Sequence, residues 1–155
     1  MRFLCDEMLK GLARWLRAAG YDVVVEPDRT EDRLLLEHAQ KQGRLLLTRD
    51  RRFAETQAGV ASVVLLECKD LDACFTELRD KLDVDWLHRP FSRCLACNTP
   101  LLEVSQDRWH EVPEYSREQA TRLLHCPSCN QLFWDGSHVK RMHERLQAAA
   151  RQPKQ

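Results

Sequence analysis

The chain has 155 residues, 43% of them apolar, and this length suffices to bury a core in one domain or in two small modules. Lysine and arginine together number 24, aspartate and glutamate also number 24, and the formal net charge is zero. This balance excludes a uniformly basic nucleic-acid-binding protein, so any RNA or DNA must be held by local patches.

Neither a signal peptide nor a membrane span is predicted. Charged residues are scattered through the N-terminal segment, and no later segment approaches the roughly 20 apolar residues that crossing a bilayer requires. We therefore expect a cytoplasmic protein. In that reducing compartment, paired cysteines are more often metal ligands than disulfides.

Strand and helix patterns alternate up to Leu82. The first helix pattern has one apolar face and ends at Gly20, and the second follows Thr30, a favourable N-cap, and ends at Gly43. In chain order, we predict strands at 2–5, 21–25, 45–47 and 61–66, and helices at 7–19, 31–42, 52–58 and 71–82.

This alternation is typical of right-handed crossovers on a parallel sheet. We predict that residues 1–88 form a three-layer α/β domain with a mostly parallel, four-stranded sheet. Ligand sites in such sheets lie beyond the carboxyl ends of the strands. Asp6 follows the first strand and Asp50 follows the third, so both are candidate site residues.

The pattern changes at residues 86–90, where His88-Arg89-Pro90 is predicted to be a linker. Residues 89–150 are predicted to form a second module. It contains short strands at 101–104 and 131–134 and a final helix at 138–150. The last residues, 151–155, are predicted to be a disordered tail.

Two Cys-x-x-Cys pairs mark the second module. The two residues inside each pair allow a tight turn that directs both thiolates at one ion, and two such turns complete a tetrahedral site. Because four protein ligands leave no open position, we predict a structural zinc ribbon. The predicted ligands are Cys94, Cys97, Cys126 and Cys129.

Other choices of metal and ligand stay open at this site. Iron uses the same four sulfur ligands, and His110 or His125 can replace a cysteine. The other cysteines belong to no metal motif and to no pattern of nucleophile and base. They are Cys5, Cys68 and Cys74.

Three aspartates are candidate ligands for a hard divalent cation. Asp32 lies in the first turn of the second predicted helix and, with the expected strand order, can meet Asp6 and Asp50 at the carboxyl edge of the sheet. Mg²⁺ and Mn²⁺ prefer carboxylate oxygens, water and substrate phosphate. The alternative is structural, because an aspartate after a strand often caps the next helix or complements its dipole.

Basic residues near this edge are candidate RNA contacts. Lys10, Arg14 and Arg17 recur at helical spacing opposite the apolar face of the first helix, and arginine suits bidentate contacts with phosphate. Arg49 and Arg51 flank the aspartate that follows the third strand. An ordinary solvated helix face, or a salt bridge to that aspartate, explains the same pattern.

The C-terminal segment is also locally basic. His138 and Arg141 are its candidate RNA contacts. Trp134 and Trp109 can stack on a base, although a tryptophan in a small ribbon more often forms its core.

The order of these blocks resembles a known family over nearly the whole chain, the Mut-seven C-terminal RNase domain family. The closing motif Phe133-Trp-Asp-Gly-Ser-His138 and the two cysteine pairs resemble its zinc ribbon. The blocks that resemble its first part are Phe3-Leu-Cys-Asp6, Leu12-Ala-Arg-Trp-Leu-Arg17, Asp32-Arg-Leu-Leu-Leu36 and Arg44-Leu-Leu-Leu-Thr-Arg-Asp50.

The resemblance implies a PIN-like nuclease fold with a fused zinc ribbon, and a metal-dependent RNase activity. It implies that Asp6 and Asp50 are acidic site residues around Mg²⁺ or Mn²⁺, with Asp32 as the third. A fourth acidic residue is not evident in the sequence. Asp28 and Glu7 are the candidates.

We therefore predict a divalent-metal-dependent ribonuclease that hydrolyses phosphodiester bonds of single-stranded RNA, with a zinc ribbon that aids RNA binding. Two alternatives stay open: a non-catalytic RNA-binding adaptor, and a toxin-like PIN RNase of a regulatory pair. The sequence does not decide between RNA and DNA, and it does not predict the oligomeric state.

Overall fold

The computed structural model describes residues 1–27, 30–57, 60–104, 106–118 and 120–152. The first sheet has the four predicted strands, and all three of its strand pairings are parallel, where the sequence analysis predicted a mostly parallel sheet. The strand order is β2-β1-β3-β4, with β1 paired to both β2 and β3. The strands are β1 Arg2–Cys5, β2 Asp22–Val25, β3 Leu45–Thr48 and β4 Val63–Leu65.

The helices between these strands also follow the predicted order. Gly43, with a φ of 59°, ends α2 (Asp32–Gln42) as predicted. The N-cap of α2 is Glu31, however, because the hydroxyl of Thr30, the predicted N-cap, donates to the Pro27 carbonyl. The predicted end of the third helix, at residues 58 and 59, lies outside the described residues. The elements are a 3-10 turn at Glu7–Leu9 and helices α1 Lys10–Ala18, α2 Asp32–Gln42, α3 Arg51–Thr56 and α4 Leu71–Leu82.

Successive strand residues point to opposite faces of the sheet and build two separate core clusters. Phe3 and Leu47 pack on the face covered by α1 and α4. Leu4 and Leu46 pack on the other face, with buried side chains of α2 and α3. The predicted three-layer architecture is therefore confirmed.

A second sheet, antiparallel and of order β5-β6-β7, follows in the C-terminal part. Strand β6 was not predicted, because three residues directly before a cysteine pair are too few to form an alternating pattern. A 3-10 turn and a short helix, α5 Glu114–Arg117, lie between β5 and β6. The strands are β5 Leu102–Glu103, β6 Leu123–His125 and β7 Leu132–Trp134.

The last helix, α6 Ser137–Arg151, returns to the α/β domain. Its buried residues Met142 and Leu146 join the cluster of α1 and α4, so both parts of the chain share one core. The division into two modules at residue 88 stays a prediction. Arg151 of the predicted tail ends α6, and residues 153–155 lie outside the described residues.

The part of the chain that the structure describes contains no helix with the length and apolar composition needed to cross a membrane.

Cys68 and Cys74 form a disulfide. The sequence analysis assigned these two cysteines to no motif and did not predict this bond. The turn from β4 into α4 brings their Cα atoms to 4.9 Å, a proximity that no spacing motif encodes.

The first cysteine pair is held against β2 by Arg17, which is only 8% exposed. Its guanidinium donates to the Val23 carbonyl of β2 at 3.0 and 2.8 Å. It also donates to the carbonyls of Leu95 and Ala96, inside the cysteine pair, at 3.1 and 2.7 Å. The amide of Val23 in turn donates to the side chain of Asn98 at 2.9 Å. Arg17 therefore joins α1 and β2 to the first cysteine pair, whose bonded carbonyls lie 78 and 79 residues further along the chain.

Asp22 supports the same junction from the start of β2. Its carboxylate accepts hydrogen bonds from Arg44 and from Asn98, each at 2.7 Å. Although burial acts to raise the pKa of Asp22, these two donors hold it below its ordinary value.

We expect Arg17→Ala to lower the free energy of unfolding by about 2–4 kcal/mol, since it leaves buried carbonyls without their charged donor and removes a packed side chain. Urea denaturation followed by circular dichroism measures this loss. Arg14→Ala, an exposed arginine on the same helix, is the matched control and should change stability by less than about 0.5 kcal/mol. Equal effects of the two substitutions would contradict the role assigned to Arg17.

Candidate functional site

Asp6 and Asp50 are brought together by the register of β1 and β3. Cys5 pairs with Leu47, so the next residues, Asp6 and Thr48, lie side by side at the carboxyl edge of the sheet. The Thr48 hydroxyl donates to Asp6 Oδ2 at 3.5 Å and accepts from the amide of Asp50 at 3.0 Å. Thr48 therefore links the two aspartates.

Each aspartate also caps a helical segment. The amide of Leu9 donates to Asp6 Oδ1 at 3.1 Å, and the amide of Phe53 donates to Asp50 Oδ1 at 3.0 Å. Capping occupies one oxygen of each carboxylate. Each carboxylate oxygen has two lone pairs, so the capping bonds and the 3.5 Å contact of Thr48 with Asp6 Oδ2 leave acceptor sites for a cation at both positions.

Burial raises the pKa of Asp6 above its ordinary value. Amide donors from Leu9 and Met8 and the Thr48 hydroxyl oppose this rise, whereas the nearby charge of Asp50 adds to it. A bound cation would reverse the balance by favouring the ionised carboxylate. The chain by itself therefore does not fully offset the cost of ionising the partly buried Asp6.

Asp32 does not join this pair. It is exposed at the first position of α2, and among the described residues the three aspartates do not form a group whose ligand atoms reach one ion. Asp28, a sequence candidate for the fourth acid, lies outside the described residues. The other candidate, Glu7, forms an exposed ion pair with Lys10 at 3.2 Å.

Glu26 is an acidic residue that the sequence interpretation missed. Because Cys5 also pairs with Val25, Glu26 occupies the position beside Asp6 on the other neighbouring strand. Its amide donates to the Cys5 carbonyl at 3.0 Å, and its carboxylate lies 3.0 Å from His38 Nδ1. The available signal was its place directly after a strand, the same signal that identified Asp6.

The predicted RNA-contacting residues fall into different environments. Arg17 is buried in the junction described above, which differs from the surface role predicted for it. Arg49 is exposed next to Asp50, and Arg51 pairs with Glu67 at 2.7 Å. Arg17 is therefore a structural residue here, whereas the other two remain at the acidic edge.

Arg14, by contrast, is exposed and faces the C-terminal part of the chain. Its guanidinium lies 3.5 Å from Nε2 of His138, in the first turn of α6. Arg141 is exposed one turn further along α6. The structure therefore brings together two predicted RNA contacts that are far apart in sequence.

The four cysteines of the two pairs form one group whose Sγ atoms all lie within 4.8 Å of one another. The closest contacts are 3.3 Å, between Cys97 and Cys126, and 3.7 Å, between Cys94 and Cys129. Four sulfurs at about 2.3 Å from a tetrahedral zinc ion would lie about 3.8 Å apart. The donor set therefore fits zinc without a histidine ligand.

Local geometry prepares these thiols for a cation. The amides of Cys97 and Cys129 point at the sulfurs of the first cysteine in each pair, both at 3.5 Å. Burial raises the pKa of the Cys94 thiol to about 12, whereas hydrogen bonds with Thr99 lower the pKa of the exposed Cys97 thiol to about 6. A bound cation would favour the thiolate at both positions.

The parallel sheet with its two linked aspartates, joined to a four-cysteine centre, agrees with the class of protein that the motifs resemble, a nuclease domain. The Mut7-C RNAse domain family matches residues 1–146, and the chain belongs to this family. Family membership supports a nuclease.

A curated relative, the exonuclease mut-7 homolog of Homo sapiens, is 33% identical to the chain over 124 residues. The match covers 76% of this chain but only 14% of that relative. No solved structure matches the chain significantly.

We expect one zinc ion per purified chain, measured by inductively coupled plasma mass spectrometry. Cys126→Ala should abolish stoichiometric zinc and lower the thermal midpoint, because three thiolates no longer close the site. Cys5→Ala is the matched control, since Cys5 is a buried thiol outside the group. Full zinc content in the Cys126 variant, or iron in its place, would refute this assignment.

We expect Asp6→Asn to stabilise the chain at pH 7 when Mg²⁺ and Mn²⁺ are absent. Because the pKa of Asp6 is raised in the folded state, folding binds protons between its ordinary and its raised pKa, so native stability falls as pH rises through that window. Asparagine keeps the oxygen that accepts from Leu9 but carries no charge. The gain should therefore shrink as pH falls towards 4.

Urea unfolding of the two proteins from pH 4 to pH 7 measures this difference. Asp70→Asn is the control, because Asp70 caps α4 through the same kind of bond but is exposed. A gain of equal size at every pH would argue against a raised pKa at Asp6.

Proposed function

We propose that the chain is a divalent-metal-dependent ribonuclease that hydrolyses single-stranded RNA at the carboxyl edge of its parallel sheet. Asp6 and Asp50 hold Mg²⁺ or Mn²⁺. Among the described residues Asp32 and Glu26 are not grouped with them around one ion, and we propose these two as surrounding acids of the same edge. The four cysteines hold zinc. The observation that carries the proposal is the pair of aspartates linked through Thr48.

The chemistry of this edge suits such an ion. Mg²⁺ is commonly bound through one or two carboxylates, with water and substrate phosphate as its other ligands. When bound, it would activate a water molecule and stabilise the leaving oxygen of the phosphodiester. The exposed Arg49 lies next to Asp50 and can hold the scissile phosphate.

The capping bonds favour a second candidate, a non-catalytic RNA-binding adaptor. Both Asp6 and Asp50 have a structural role that needs no metal. In an adaptor, the basic residues around the edge and on α6 bind RNA, and the two aspartates only cap the helical segments that follow them.

Cleavage of an end-labelled, single-stranded RNA separates the two candidates. We expect cutting with Mn²⁺ or Mg²⁺, none without them, and products that carry 5′-phosphate and 3′-hydroxyl ends. Asp6→Asn and Asp50→Asn should each lower the rate at least a hundred-fold, because each removes a charged ligand.

The control is Asp80→Asn, an exposed aspartate in the last turn of α4 that pairs with Arg79, which should cut like the unmodified chain. RNA binding without cutting would favour the adaptor. A 2′,3′-cyclic phosphate product would exclude attack by water.

A further inference from the structure

A cleft of about 520 Å³ lies in the C-terminal part of the chain, where it borders α1 of the α/β domain. One wall is Arg14 of α1, and the opposite wall is formed by β7 and by the first turn of α6. The residues between Cys94 and Cys97 close one side. The cleft therefore lies between parts of the chain that the Arg17 junction holds in place.

One end of the cleft carries the positive charge of Arg14. Arg14 and His138 face each other at 3.5 Å, both side chains are exposed, and within the described residues neither forms an ion pair with a carboxylate. His138 also lies in the first turn of α6, where the N-cap Gly136 offers no side-chain acceptor to the free amides. Two nitrogen-bearing side chains and the positive end of a fifteen-residue helix thus converge on one point.

The remainder of the cleft is aromatic. Tyr115 is 77% exposed, and Phe133 and Trp134 are partly exposed beside it. A Cβ atom at Gly136 would lie 2.8 Å from Trp134 Nε1, so the indole lies directly against the start of α6. Exposed rings next to anion donors are the two components of a single-stranded nucleic-acid site.

We propose that this cleft binds one unpaired nucleotide of the RNA strand, with its phosphate against the exposed guanidinium of Arg14 and the free amides at the start of α6, and its base stacked on Tyr115 and Phe133. The inference rests on the proposed function and identifies a substrate subsite outside the acidic edge. The volume suits a nucleotide, since small-ligand pockets commonly measure about 300–1,000 Å³.

The same helix relates the cleft to the site of cleavage. Arg14 follows Asp6 by eight residues of 3-10 turn and α-helix. This is a rise of about 12–14 Å. A nucleotide held in the cleft therefore determines which phosphodiester bond of the same RNA strand reaches Asp6 and Asp50.

The direct test measures the affinity of zinc-loaded protein for fluorescein-labelled decauridylate by fluorescence anisotropy. All proteins carry Asp50→Asn, so that RNA is not cut, and the buffer contains neither Mg²⁺ nor Mn²⁺. Arg14→Ala and Tyr115→Ala should each raise Kd about ten-fold, through loss of a phosphate contact and of base stacking. Arg14→Lys should restore part of the affinity.

Arg151→Ala is the matched control, because Arg151 is exposed at the other end of α6, and its Kd should stay within two-fold of the parent. Tyr115 and Arg14 are both exposed, so circular dichroism should confirm intact folding of their variants. An unchanged Kd in the Arg14 and Tyr115 variants would overturn the proposal.

Competition identifies the ligand. Uridine 5′-monophosphate should displace the labelled RNA from the parent better than from Arg14→Ala. If inorganic phosphate competes equally well, the cleft is only an anion site and the nucleotide proposal is overturned.

Cleavage assays of the same cleft variants without Asp50→Asn separate this inference from the proposed function. Arg14→Ala should raise KM, leave kcat nearly unchanged and shift the positions of the cuts. If no protein cuts RNA but the cleft variants still bind it weakly, the nuclease proposal fails and the cleft proposal is supported. If Arg14→Ala binds and cuts like the parent, the cleft proposal fails alone.

Discussion

The buried guanidinium of Arg17 is the contact on which the arrangement of the two sheets depends. It lies in α1 but is bonded to a carbonyl of β2 and to two carbonyls between the first cysteine pair. Burying such a charge is costly unless every donor finds an acceptor, so these bonds tolerate little displacement. The four-cysteine ribbon is therefore fixed to the parallel sheet. Arg14, on the neighbouring exposed face of α1, is positioned opposite α6 by the same contact.

The acidic edge combines two requirements at the same residues. Asp6 and Asp50 end strands and begin helical segments, so their carboxylates stabilise free amides. The same position at the carboxyl ends of adjacent parallel strands brings them together. Their mutual repulsion and the burial of Asp6 are unfavourable without a cation. This combination of a stable cap and an incompletely compensated charge is typical of functional sites.

The path of the chain explains why a cleft forms at all. After α4 the chain leaves the α/β domain, builds the cysteine site and the antiparallel sheet, and returns through α6 to the same core. The ribbon is thus anchored at both of its ends, by Arg17 at its beginning and by Met142 and Leu146 after it. Between these anchors the cleft lies between β7 and Arg14 of α1, and the first turn of α6 lines it.

The sequence by itself determined the chain order of the strands and helices in the α/β domain. It also identified the four cysteines as one ligand set and placed Asp6 and Asp50 at the ends of strands. These follow from local periodicity, from Cys-x-x-Cys spacing and from strand ends, all of which lie within short windows. Only the tertiary structure decided that Arg17 is buried, that Glu26 lies beside Asp6, and that α6 belongs to the first core. Each depends on strand register or on contacts between distant segments, which no local pattern contains.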